Sequence, residues 1–181
     1  MTRYAYDCEF LEDGKTIELI SIGIVADDGR DYYAVNRDAP WKRIKKHEWL
    51  VANVVPSLPK LYGDARLHYA RRGPLGLIDW WHPHMKRRDR IAGEVLRFLL
   101  AGETTPELWA YYGAYDHVVL CQLWGAMPDL PDGLPMWTND LQQEITRLGG
   151  EPPAQQSGHH NALDDARWVD ASLRWLAGET S

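Results

Sequence analysis

Residues 3–26, RYAYDCEFLEDGKTIELISIGIVA, decide the fold. Tyr4, Tyr6, Cys8 and Phe10 alternate with Ala5, Asp7 and Glu9, so the two sets leave opposite faces of a strand. Gly14 marks a turn. Residues 16–26 form an apolar, β-branched run that suits a buried central strand. Working outward, Asp27-Asp28-Gly29 is a hairpin-turn signal, and residues 30–36 supply a third strand through Tyr32, Tyr33 and Val35. The opening is therefore an antiparallel meander of three strands.

Further along, the pattern predicts helices at 43–54, 88–101, 115–126 and 162–176, and one ending at Leu148 that Asn139 or Asp140 caps. Asn161 is the expected N-cap of the last helix. Residues 107–112 read as a fourth strand and 136–138 as a short fifth. A meander followed by alternating helices and strands implies an α/β fold, a mixed five-stranded sheet flanked by helices. With 181 residues, no internal repeat and no linker, the chain is read as one domain spanning 1–181.

Composition excludes several classes. A hydrophobic fraction of 45% and a charged fraction of 25% are those of a globular protein, not a disordered one. No stretch approaches the roughly 20 apolar residues of a membrane span, and residues 1–7 open no signal peptide. The expected location is the cytoplasm, with no membrane partner. Cys8 and Cys121 form no CxxC pair, which argues for buried thiols over a zinc site.

The net charge of −6 is unevenly spread. Residues 37–90 hold 13 Lys/Arg against 5 Asp/Glu, while the rest of the chain holds 7 against 21. This basic segment also contains Trp41, Trp49, Trp80 and Trp81, and reads as an insertion between the third and fourth strands. Charge runs are most often solvated surface. Here the acidic remainder also carries the candidate metal ligands, which favours a polyanionic partner.

Asp7 and Glu9 leave the same face of the first strand, where they would repel each other unless a cation lay between them. Asp116 follows Tyr112-Gly113-Ala114-Tyr115, where a strand gives way to a helix. The stretch 159–166, His-His-Asn-Ala-Leu-Asp-Asp-Ala, puts His160 before the last helix and Asp165 one turn into it. Asp164 points about 100° away from Asp165, so only one of them faces the sheet. Ala162 and Ala166 are small enough for the helix to approach the sheet closely. Each element alone has a bland explanation: strand faces often carry acids, and helix N-termini favour them.

Together, Asp7-x-Glu9, Tyr115-Asp116 and His160-x-Ala162-x-x-Asp165-Ala166 resemble the three motifs of the DEDDh 3′→5′ exonuclease superfamily. The resemblance runs closest to the mycobacterial-type exoribonucleases; oligoribonuclease and ribonuclease T are similar too. Motif order and gaps of roughly 110 and 45 residues fit, over nearly the whole chain. The chain departs in two places. Phe10-Leu11 stands where many relatives have Thr-Gly or Thr-Thr-Gly-Leu after the first motif. Tyr112 stands where many have Asn before the second.

The resemblance implies a ribonuclease-H-like fold and a hydrolase that shortens RNA from its 3′ end. It implies Mg²⁺ or Mn²⁺, two per active site, held by Asp7, Glu9, Asp116 and Asp165, with His160 as general base and His159 as the rival. Substrate-binding candidates are Phe10, Leu11, Tyr115 and His159. Arg43, Lys45, Lys46, Lys86, Arg87 and Arg88 are phosphate-contact candidates. A second copy of the chain is a candidate partner, since many relatives are dimers. The alternatives are a DNA 3′→5′ exonuclease using the same residues and a non-catalytic nucleic-acid-binding module. A glycosidase would leave Asp116, His160 and Asp165 without a role.

Overall fold

The computed structural model describes residues 1–61, 73–102, 104–155 and 158–179. Arg66, Arg71 and Arg72 of the basic segment lie outside the described residues. The three opening strands form as the alternation predicts: β1 (Arg3–Glu12), β2 (Ile17–Ala26) and β3 (Asp31–Asn36). They pair antiparallel in sequence order. β4 (Met85–Lys86) then joins β3 in parallel, β5 (Glu107–Ala110) joins β1 in parallel, and β6 (Asn139–Asp140) joins β5 in parallel. The sheet order is β4-β3-β2-β1-β5-β6.

Among the described residues, six α-helices flank this sheet: α1 (Trp41–Ile44), α2 (Glu48–Asn53), α3 (Arg88–Leu99), α4 (Ala114–Cys121), α5 (Leu141–Leu148) and α6 (Ala162–Leu176). One face of the sheet buries Tyr4, Tyr6, Cys8, Ile22 and Ile24 against Ile91, Val95 and Leu99 of α3 and Val119 and Leu120 of α4. On the other face, Leu11, Ile20 and Val35 pack with Ile44, Leu50 and Ala162, while Ala5 meets Leu141, Ile145, Val169 and Leu173. Each large apolar side chain so enclosed contributes about 1.5–3 kcal/mol. Asp7 and Glu9 share this second face with Ala5 and Leu11, in a gap between two apolar clusters.

Four elements differ from the sequence expectation. The sheet has six strands, not five, because a two-residue strand, β4, hidden in the proline-rich segment, extends its β3 edge. The last strand falls at Asn139–Asp140, not 136–138. Met136 and Trp137 stay 59% and 64% exposed, and contact with β5 begins where Asn139 Nδ2 donates to the Leu108 carbonyl at 3.0 Å. The helix expected at 43–54 is broken in two: His47 turns extended, and its Nδ1 accepts the Leu50 N–H to start α2. The helix expected to reach residue 126 ends at Cys121, ahead of Gly125, whose φ of +117° no α-helix accommodates.

Two local features set the site. Beyond Glu9, the pairing of β1 with β2 slips: Glu9 faces Ser21, but Phe10 faces Leu19, leaving Ile20 as an extra residue. Such a bulge bends its strand and increases the local twist. One step back, Asp7 faces Gly23. A Cβ on Gly23 would lie 2.3 Å from backbone atoms of Ala162 and Leu163. Only glycine lets the first turn of α6 rest on the sheet directly beside Asp7. Ala162 and Ala166, both fully buried, complete that close approach.

Candidate active site

Asp7 and Glu9 extend from β1, and Asp165 descends from the first turn of α6. Carboxylate oxygens of all three lie within 4.8 Å of one another. Asn161 fixes the register of α6 by accepting the N–H groups of Leu163 and Asp164 at 3.1 and 3.3 Å. Asp116 arrives from the opposite helical layer. Its Oδ1 accepts the backbone N–H of Cys8, which lies between the strand acids Asp7 and Glu9 in the chain, at 2.8 Å. That N–H is free because β5 pairs with β1 only at Arg3, Tyr4 and Ala5, so the strands part before Asp7. Sites in open α/β sheets collect where strands diverge in this way.

Asp140 steadies the second helix. Its Oδ1 caps α5 through Gln142 and Gln143, and its Oδ2 accepts the Gly113 N–H at 2.8 Å, tying down the turn that aims Asp116. A cleft of about 450 Å³ opens over Asp7 and Asp165. His159, His160 and Gln155 line one side, and Tyr111 and Trp168, meeting edge-on at 4.9 Å, line another. Gln155 Nε2 donates to Asp165 Oδ1 at 2.6 Å.

Burial and mutual repulsion govern the electrostatics. Glu9 is pushed up to about 8, first by burial, then by the charges of Asp165 and Asp116. Burial also raises Asp116, to about 7, against the lowering effect of the Cys8 N–H. Asp7 is raised well above the usual carboxylate range by burial and then by Asp116, Glu9 and Asp165. Asp165 is raised by burial, partly offset by Gln155 and the neighbouring imidazoles. Four oxygen-donor acids that resist ionising together form a donor set suited to hard divalent cations, with the cations' charge compensating theirs.

A pH dependence follows. With carboxylate pKa values raised on folding, the native chain holds more protons than the unfolded one between about pH 4.5 and pH 8. Stability conferred by these groups is present below pH 4.5 and is lost as pH rises through 7 to 8. The melting temperature of EDTA-treated protein should therefore fall across pH 5–8. Mg²⁺ or Mn²⁺ should restore more of it at pH 8 than at pH 5. A cation-induced shift that is flat with pH would separate the cluster from metal binding.

All five motif residues sit at or beside one site. Of the substrate candidates, Phe10 and Tyr115 stack with ring centroids 6.1 Å apart and planes 16° apart, and Tyr115 is 59% exposed. His159 is exposed at the cleft. Leu11 is buried in the core and leaves no surface for a nucleotide. Among the basic candidates, Arg43 pairs with Asp13 and Glu18, Lys86 with Glu94 and Arg87 with Asp89. Arg88 donates to the Gln122 carbonyl. Lys45 and Lys46 are exposed on the turn between α1 and α2. Trp41 and Trp80 meet edge-on at 5.0 Å, and the exposed Trp81 lies under the Arg37 guanidinium.

Sequence reasoning did not single out Gly23, Gln155, Tyr111 or Trp168, and it placed Asp140 only as a cap. It named Trp49 only as one of four tryptophans. Its ring meets that of His160 at 4.9 Å, nearly perpendicular.

A mixed sheet, antiparallel then parallel and flanked by helices, is the α/β architecture of a ribonuclease-H-like domain. The chain belongs to the family of the Rv2179c-like 3′-5′ exoribonuclease domain, whose model matches residues 2–175. It is similar to 3′-5′ exoribonuclease Rv2179c of Mycobacterium tuberculosis (strain ATCC 25618 / H37Rv) and to 3′-5′ exoribonuclease MT2234.1 of strain CDC 1551 / Oshkosh. With each it shares 42% identity over 167 residues, 91% of this chain and 87% of the relative. No helix among the described residues is long and apolar enough to cross a membrane.

Proposed function

We propose that this chain hydrolyses RNA from the 3′ end, one nucleotide at a time, with Asp7, Glu9, Asp116 and Asp165 holding two Mg²⁺ or Mn²⁺ ions. The observation that carries this reading is the convergence of Asp7, Glu9 and Asp165 oxygens within 4.8 Å beside Asp116, with His160 on the same cleft. The family supplies the direction of attack and the ribose polymer.

Cations held by Asp7, Glu9, Asp116 and Asp165 would supply charge neutralisation for the reacting phosphodiester. His160, at the mouth of the carboxylate cluster, accepts a proton from the water that attacks phosphorus. The bond from phosphorus to the preceding nucleotide's O3′ breaks, releasing a nucleoside 5′-monophosphate, and the departing O3′ takes a proton from solvent to become the new 3′-hydroxyl. An imidazole suits this step because its ordinary pKa is near neutrality. Phe10 and Tyr115 offer the terminal base a stacking surface worth about 1–3 kcal/mol. His159, exposed at the same mouth, lies within reach of the substrate. Lys45 and Lys46 are the basic-segment candidates best placed to meet phosphates from open solvent.

The test uses 5′-labelled RNA and DNA of one sequence, single-stranded and with 3′ overhangs, digested with Mg²⁺ or Mn²⁺. RNA should give a ladder shortening from the 3′ end with release of mononucleotides, and EDTA should stop it. Internal cleavage, or digestion of DNA alone, would overturn the assignment.

A further inference from the structure

We infer that Trp49 is a positioning residue that holds the His160 imidazole in its working orientation. The inference rests on the reading of His160 as the base. His160 has φ +63°, a left-handed conformation that residues with a side chain adopt only when their surroundings impose it. The local turn supplies one bond, from the Asn161 N–H to the Gly158 carbonyl at 3.0 Å. Asp165 accepts a backbone bond from His160, and further restraints come from the basic segment. Ser57 Oγ donates to the His160 carbonyl, and Asn161 Nδ2 donates to the Ser57 carbonyl at 3.1 Å. These bonds fix the backbone. Among the described residues, the Trp49 ring is set against the imidazole itself, its centroid 4.9 Å away and its plane turned by 79°, on a ring that also feels the charge of Asp165.

Among the described residues, Trp49 makes its ring contact with His160. It is 49% exposed, whereas its helix is anchored by Leu50 at 3% and followed by the buried Val54 and Val55. The helix start is held by His47 and not by Trp49. An indole left half in water and set against one imidazole restricts that imidazole's rotation more than it stabilises the fold. A base that must meet a water at hydrogen-bond distance loses rate when its ring can turn away, and a misplacement of about 1 Å can lower turnover about 100-fold.

Steady-state digestion of 5′-labelled RNA in Mg²⁺ tests this with W49A, W49F, H160A and the W49A/H160A double variant. W49A should lower kcat about 10- to 100-fold with KM for RNA within about twofold, and W49F should recover most of the loss. The double variant should be no slower than H160A, because the tryptophan acts only through the imidazole. W49L serves if W49A fails to fold. An unchanged kcat in W49A, a raised KM with kcat intact (indole stacked on substrate instead), or losses that multiply in the double variant would each overturn the inference. A fully active H160A would instead remove the base itself, and with it the premise.

Discussion

Asp7→Asn should abolish digestion, lowering kcat by roughly 10³-fold or more, while the protein melts no lower than the parent in EDTA. The two halves of this result have one cause. Asp7 bears the repulsion of Asp116, Glu9 and Asp165 at once. Replacing it with a neutral amide of the same shape relieves that repulsion, so the cation-free fold gains. The same change removes a charge from the donor set, and several kcal/mol of charge stabilisation correspond to about three powers of ten in rate. The measurement pairs single-turnover digestion with a melting curve, plus and minus Mg²⁺. The Mg²⁺-induced rise in melting temperature should shrink in the variant. Wild-type turnover in Asp7→Asn would remove the carboxylate cluster from the chemistry.

Gly23→Ala should both destabilise the fold and disable the site. The added carbon would stand 2.3 Å from three backbone atoms of α6, where no side-chain rotation can make room. The helix must move out by about 1 Å or more, and overpacking of this kind costs about 3 kcal/mol. In a chain of this length that corresponds to a fall in melting temperature of about 6–12 °C. Asp165 and His160 travel with the helix start, away from Asp7 and Glu9. Digestion should therefore drop by about 100-fold even at temperatures where the variant is fully folded. A folded, fully active Gly23→Ala would show that α6 need not touch the sheet there.

Much of this arrangement can be read from local patterns. Strand alternation put Asp7 and Glu9 on one face, and the structure places them there with Ala5 and Leu11. Helix chemistry placed Asn161 at the start of α6, and its side chain caps that helix. Both signals lie within a few residues of what they determine. The remainder depends on partners distant in the chain. The two-residue strands β4 and β6 have no period of their own and exist only because β3 and β5 offer edges. Gly23 looks like one more small residue in an apolar run until a helix some 140 positions later lies across it. Trp49 and His160 meet through tertiary packing alone. Leu11 shows the reverse error: adjacency to a motif suggested substrate contact, but its place on the alternating strand buries it.

Because β1 and α6 lie about 150 residues apart, the three acids Asp7, Glu9 and Asp165 meet only in the folded chain, so local unfolding at either element would scatter them.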